Sequence, residues 1–214
     1  MFDLYVVTDS QLSKGRSDAE VARMAYEGGA DVVQLRMKNA DGGAMLEQAN
    51  LIRQYADEMC RLFIVNDRVD IAMASGADGV HLGQSDIPLE TARRLIGDDA
   101  IIGISVDNVE QAVAAEEGGA DYVGVGAVFR TSTKPDAMQG VGLGAVFEVR
   151  QAVDIPVVAI GGINRGNIQD VIRAGADSAA VVSAVVAQDD VAAAAHELRD
   201  LILKVRPHIP PEFL

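Results

Sequence analysis

One tripeptide recurs four times in this chain, as Gly29-Ala30-Asp31, Gly76-Ala77-Asp78, Gly119-Ala120-Asp121 and Gly175-Ala176-Asp177. Each copy falls where a helical pattern stops and an apolar or β-branched segment begins. Glycine supplies the left-handed residue that closes a helix, and Ala-Asp turns the chain into the sheet. The segments that follow are the second, fourth, sixth and eighth of eight: Leu4–Thr8, Val32–Leu35, Leu62–Val65, Gly79–Leu82, Ile101–Ser105, Tyr122–Val125, Val157–Ile160 and Ala180–Val182. Helical patterns rather than hairpin turns separate them. Strands joined by helical crossovers pair in parallel. A repeat on every second unit is what a barrel built from pairs of units would show. The pattern therefore predicts an α/β fold, a (β/α)8 TIM barrel in one domain over residues 1–206, with a doubly wound open sheet as the alternative.

The helices carry their own punctuation. Ser17-Asp18-Ala19-Glu20 is a capping box ahead of apolar Val21, Met24 and Ala25, and Gly28-Gly29 stops that helix. Asp107 with Glu110 is expected to repeat the device before Gly118-Gly119. Leu198, Leu201, Ile202 and Val205 stand at helical spacing in the last helix, which ends before Pro207. Residues 207–214, with Pro207, Pro210 and Pro211, read as an extended Pro-rich tail. The 214 residues suffice for one such barrel, and a content of 49% hydrophobic residues with 21 Gly suits a parallel sheet wrapped by helices.

Charge narrows the possible partners. The formal charge is −14, from 32 acidic and 18 basic residues, which argues against nucleic acid or an anionic membrane. No apolar run reaches the roughly 18 residues of a membrane span, and Met1-Phe2-Asp3 opens without a leader pattern, so a cytoplasmic location is the expectation. Cys60 is the only cysteine and is expected on a buried helix face.

Barrels of this kind place their chemistry at the C-terminal strand ends. Strand two ends in Gln34-Leu35-Arg36-Met37-Lys38, and alternation sends Gln34, Arg36 and Lys38 toward the mouth. Two cations beside an amide donor suit a di- or triphosphate, against the plainer reading of a solvated loop. Strand three ends in Asn66-Asp67-Arg68, and strand four runs through His81 to Gly83-Gln84-Ser85-Asp86. Each aspartate alone reads first as a helix N-cap, and Pro88 supports a helix start there. On adjacent strand ends, however, the two carboxylates meet beside the cations, and carboxylates with a diphosphate are the hard oxygen ligands that Mg²⁺ prefers.

The loop Arg130-Thr131-Ser132-Thr133-Lys134-Pro135-Asp136 offers three hydroxyls and a lysine for anionic oxygens, or is simply a polar loop. Gly161-Gly162-Ile163-Asn164 after strand seven and Val182-Ser183-Ala184 after strand eight match the place where barrels cradle a phosphate. His81 reads as a hydrogen-bonded structural histidine, and the scattered His196 and His208 complete no zinc spacing. No elbow serine or Cys/His pair offers a covalent nucleophile.

Taken in order, Gln34-Leu35-Arg36-x-Lys38, Asn66-Asp67-Arg68, Gly79-x-His81-x-Gly83-Gln84-x-Asp86, Gly103-x-Ser105, Thr131-x-Thr133-Lys134-x-Asp136, Gly161-Gly162-Ile163 and Val182-Ser183-Ala184 closely resemble the thiamin-phosphate synthase family. The resemblance implies transfer of an aminopyrimidinylmethyl group from its diphosphate to a thiazole phosphate by a dissociative route, with one Mg²⁺ per subunit and phosphorylated small molecules as partners. It implies that Gln34, Arg36, Lys38, Asn66, Ser105 and Lys134 hold the pyrimidine diphosphate, with Lys134, Arg36 and Ser105 as catalytic residues. Asp67 and Asp86 would ligate the metal. Thr131, Thr133, Gly162, Val182 and Ser183 would hold the thiazole phosphate.

Two positions depart from the family pattern. Ala127 stands where members often have proline, and Val106-Asp107-Asn108 lacks a histidine that often follows the serine position. A related isomerase, the thiazole tautomerase, is the first alternative and needs no diphosphate-and-metal set; a non-catalytic precursor binder is the second.

Overall fold

The computed structural model describes residues 2–131 and 140–206. Eight parallel strands close in sequence order into a barrel: β1 (Leu4–Val7), β2 (Val32–Leu35), β3 (Leu62–Asn66), β4 (Gly79–Leu82), β5 (Ile101–Val106), β6 (Tyr122–Val125), β7 (Val157–Ile160) and β8 (Ser178–Val181), with β8 pairing β1. Outside it lie α1 (Asp18–Glu27), α2 (Gly42–Met59), α3 (Val69–Ser75), α4 (Leu89–Ile96), α5 (Val109–Glu117), α6 (Gly142–Ala152), α7 (Ile168–Arg173), α8 (Ser183–Val186) and α9 (Val191–Leu203). No helix among the described residues is long and apolar enough to cross a membrane.

Period-two alternation divides the strands between two cores. Leu4, Val6, Val33, Leu35, Phe63 and Val65 point outward and pack under the helices. Tyr5, Val7, Val32, Ile64, Tyr122, Val158 and Ala180 point inward and fill the barrel. A strand buried on both faces must be apolar throughout, which is why these segments read as continuous apolar runs.

The Gly-Ala-Asp repeat proves to be a fourfold clip at the N-terminal end of the barrel. Gly29, Gly76, Gly119 and Gly175 all adopt positive φ, 94, 65, 87 and 106°. Each following aspartate then grips the preceding odd-numbered strand by two atoms of one residue. Its backbone N–H donates to Leu4, Phe63, Ile102 or Val157 O. Its carboxylate accepts the N–H of that same residue, at 3.2, 2.7, 2.7 and 2.9 Å for Asp31, Asp78, Asp121 and Asp177. An arginine completes every clip, namely Arg61, Arg53, Arg93 and Arg150, at 2.6–2.8 Å.

Several local expectations shift. Strand eight starts two residues earlier than its apolar pattern indicates, because Ser178 pairs with Val158 and its hydroxyl donates to Asp3 O. The Ser17–Glu20 capping box forms as expected. The second box does not: Asn108 is the cap of α5, accepting from Gln111 N, while the Gln111 side chain accepts from Asp107 N. Asp67 and Asp86 cap no helix, since Arg68 and Pro88 occupy the N-cap positions of α3 and α4. Cys60 is exposed rather than buried: α2 buries Met45, Ala49, Ile52 and Ala56, and Cys60 lies past its end with φ 52°. The tail at 207–214 lies outside the described residues.

Candidate active site

A cavity of about 580 Å³ opens at the C-terminal ends of the strands. Gln34, Arg36, Lys38, Asn66, Asp67, Asp86, Ser105, Thr131, Gly162, Val182 and Ser183 all line it. Eleven of the thirteen residues singled out from sequence thus meet in one place; Thr133 and Lys134 lie outside the described residues. A second recess of about 590 Å³ shares Thr131, Gly162, Ile163 and Ser183 with it and extends toward Asp9, Gln11 and Gln188.

One wall carries the charge. Asp67 follows β3 directly and turns the chain with φ 61°, a region aspartate tolerates better than most residues. Asp86 lies three residues beyond Gly83 and accepts its N–H at 2.6 Å. The two side chains share a hydrogen bond, and the Asp67 carboxyl is pushed up to about 6, first by burial and then by Asp86, with Lys38 and Arg36 pulling the other way. Two carboxylates brought this close mark a place where positive charge would be favoured. Arg36 is braced by Asp9 at 3.4 Å, and its backbone N–H donates to Thr8 Oγ1 at 3.2 Å.

These features fit a divalent cation held partly by substrate. No group of three or more His, Cys, Asp or Glu residues clusters suitably among the described residues. The protein therefore offers two carboxylates, and Mg²⁺ is commonly bound through one or two carboxylates completed by substrate phosphates.

The floor is a hydrogen-bonded chain across the barrel interior. Gln34 Nε2 donates to the Tyr5 hydroxyl at 2.7 Å, Tyr5 and Tyr122 hydroxyls lie 3.0 Å apart, and Tyr122 Oη is 2.8 Å from His81 Nδ1. His81 Nε2 is 2.9 Å from Ser105 Oγ, and Gln84 Nε2 donates to Ser105 O at 2.7 Å. Each hydroxyl has one proton, so the donation by Gln34 sets a direction. Tyr5 then donates to Tyr122, Tyr122 to His81 Nδ1, and His81 Nε2–H to Ser105. Burial holds both tyrosines neutral by pushing their hydroxyls well above the usual range. Gly103 makes room for this chain, since a Cβ there would lie 2.0 Å from the Tyr122 ring.

His81 is therefore hydrogen-bonded, as its strand position suggests, yet it also faces the cavity. Tyr5, Tyr122 and Asp9 join the site without having stood out in the sequence, and Gln84, there only part of a motif, gains a partner in Ser105 O. The two tyrosines carried a usable signal, because both fall on inward positions of their strands. Their meeting depends on barrel closure, which brings β1 and β6 across from one another.

A closed (β/α)8 barrel with a charged cavity over the C-terminal strand ends belongs to the class that carries its active site there. Residues 4–185 match the family model described as thiamine monophosphate synthase. The chain is 52% identical over 201 residues to the thiamine-phosphate synthase of Methanoculleus marisnigri, covering 94% of this chain and 95% of that protein. It is 54% identical over 199 residues to the synthase of Chloroflexus aurantiacus, covering 93% and 92%. Among solved structures, the thiamine phosphate pyrophosphorylase from Pyrococcus furiosus superposes with a TM-score of 0.89 at 45% identity, covering 95% of this chain and 96% of that one. The chain belongs to the thiamine monophosphate synthase family.

Proposed function

We propose that this protein is the transferase for which its family is named. It moves the 4-amino-2-methyl-5-pyrimidinylmethyl group from its diphosphate to 4-methyl-5-(2-phosphooxyethyl)thiazole, giving thiamin phosphate and free diphosphate. The observation that carries this reading is the division of one cavity into two ends. The paired carboxylates Asp67 and Asp86 with Arg36 and Lys38 stand at one end, and Thr131, Gly162, Val182 and Ser183 at the other.

The reaction breaks the carbon–oxygen bond of the pyrimidine diphosphate, and the electron pair leaves with the diphosphate. The aminopyrimidine ring stabilises the methylene cation until the lone pair of the thiazole nitrogen forms the new carbon–nitrogen bond. The protein's task is to stabilise charge on the leaving group and to hold the acceptor in line. Arg36 and Lys38 place positive charge against the diphosphate, and Lys134 of the loop after β6 is assigned the same work. Asp67 and Asp86 would hold one Mg²⁺, which supplies further charge neutralisation on the diphosphate when bound. Gln34, Asn66 and Ser105 orient the pyrimidine portion, with Ser105 positioned by His81. No step requires a general base, and the neutral hydrogen-bonded floor fits that demand.

The same division disfavours the thiazole tautomerase and the non-catalytic binder. Neither has a use for the carboxylate pair and its flanking cations. Incubating the protein with both phosphorylated precursors and Mg²⁺ tests the reading. Thiamin phosphate and diphosphate are expected in equal amounts, and no product from authentic substrates would overturn it.

A further inference from the structure

The loop between β1 and α1, residues 8–17, touches both ends of the cavity. Near its start, Asp9 braces Arg36 on the diphosphate side. Near its end, half-buried Arg16 reaches the segment that follows β8. Arg16 Nη2 donates to Val186 O at 3.1 Å and to Gln188 O at 2.7 Å, while Nη1 donates to Asp189 O at 3.0 Å. Arg16 Nε donates back to Ser13 O at 2.8 Å, which fixes the guanidinium within its own loop.

The segment held in this way is α8, Ser183–Val186, a single turn of four residues. One turn leaves its last carbonyls without intrahelical partners and has little stability of its own. A planar guanidinium satisfies several such carbonyls at once, which a single ammonium does less well. The connection continues to the cavity wall: the Gln188 side chain donates to Ser183 O at 3.2 Å, and Ala187 N donates to the same oxygen at 3.3 Å. Arg16 is thus one hydrogen-bonded residue away from Ser183, although it does not line the cavity itself. Lys14 makes a neighbouring contact, to Asp189 Oδ1 at 2.6 Å, but both partners are exposed, so it contributes little.

We propose that Arg16 is a positioning residue for the acceptor: it fixes the Val182–Ser183 segment against which the thiazole phosphate is held, without touching the substrate. The inference rests on the function proposed above. It gives the β1–α1 loop two duties, bracing a diphosphate cation through Asp9 and the monophosphate cradle through Arg16.

Steady-state kinetics on the full-length protein, with both precursors and Mg²⁺, test it. Arg16→Ala is expected to raise KM for the thiazole phosphate by about tenfold or more, the scale on which supporting partners act. KM for the pyrimidine diphosphate should stay within about twofold, because uniform binding is lost at one end only. Arg16→Lys should recover part of the effect, and Lys14→Ala should behave as wild type. An unchanged thiazole-phosphate KM, or an equal rise in both KM values, would overturn the proposal. Should the alanine variant fail to fold, Arg16→Lys carries the same test, read from the ratio of the two KM values. Calorimetric titration with thiazole phosphate alone separates this inference from the function: weaker binding by Arg16→Lys supports it even without turnover, and equal binding, or none by wild type, overturns it.

Discussion

Replacing Asp177 with alanine probes the fourfold clip that the Gly-Ala-Asp repeat encodes. The Asp177 carboxylate accepts Val157 N–H at 2.9 Å and Arg150 Nη1 at 2.8 Å, and its side chain is only 20% exposed. Alanine would leave a backbone donor at the start of β7 without its partner, a cost of about 1–3 kcal/mol, and would strip a half-buried arginine of its counter-charge. A total loss of roughly 2–4 kcal/mol follows, a large share of the ~5–15 kcal/mol that holds a typical domain together. Asparagine keeps an acceptor for Val157 N–H and loses only the ion pair, so Asp177→Asn should cost about half as much. Asp121 makes the same two contacts with a side chain 45% exposed, so water can replace the lost partners. Asp121→Ala should therefore cost about 1 kcal/mol less than Asp177→Ala. Urea denaturation followed by circular dichroism measures all three, and unchanged slopes would show that the denatured states are comparable. Equal losses for Asp121→Ala and Asp177→Ala, or for the alanine and asparagine variants, would refute the reasoning. The clip lies at the N-terminal end of the barrel, so kcat of the folded variants should match wild type.

Other perturbations read the mouth of the barrel. Asp67→Ala and Lys134→Ala should each lower kcat by on the order of 10²-fold or more, the scale of lost electrostatic stabilisation; wild-type turnover in either would remove the role assigned to that residue. The Asp67 carboxyl sits at about 6 in the folded protein against an ordinary 3.8, so the metal-free folded state binds that proton more tightly than the unfolded chain does. Its contribution is present in full below about pH 4 and is lost as pH rises through 6; full burial would make the difference about 3 kcal/mol, reduced to roughly 1–2 kcal/mol for a pair open to the cavity. Asp86→Asn should flatten that dependence in urea titrations without metal and should weaken the stabilisation that added Mg²⁺ gives to wild type; an unaltered pH profile would contradict the part Asp86 plays in raising the Asp67 carboxyl. Tyr122→Phe removes the hydroxyl between Tyr5 and His81, leaving the buried Tyr5 hydroxyl with Gln34 alone and taking one partner from His81, so unfolding should become easier by about 1–3 kcal/mol, with a null result excluding the hydrogen-bonded floor.

How far a barrel site can be read from sequence depends on whether each residue's role is local or requires closure. Asp67, Asp86, Arg36 and Lys38 stand within four residues of strand ends, and strand order alone places them at one mouth. The Gly-Ala-Asp copies were equally legible as helix stops, because positive φ is a demand made by the glycine's own backbone. What their aspartates hold was not legible, since the gripped residues belong to the preceding strand and the arginines come from elsewhere, Arg53, Arg93 and Arg150 from the helix before that strand and Arg61 from the turn before β3. The interior chain from Gln34 to Ser105 lies further out of reach. Tyr5 and Tyr122 are 117 residues apart, and their hydroxyls meet only when β1 and β6 face one another across a closed barrel. In the sequence each looks like one more aromatic in an apolar strand. Arg16 illustrates the same limit from the outside: a basic residue in a loop just before a capping box gains meaning only when β8 pairs with β1. Closure is thus what turns these separate strand and loop residues into a site, and the residues that depend on it are the ones that brace the substrate-facing groups.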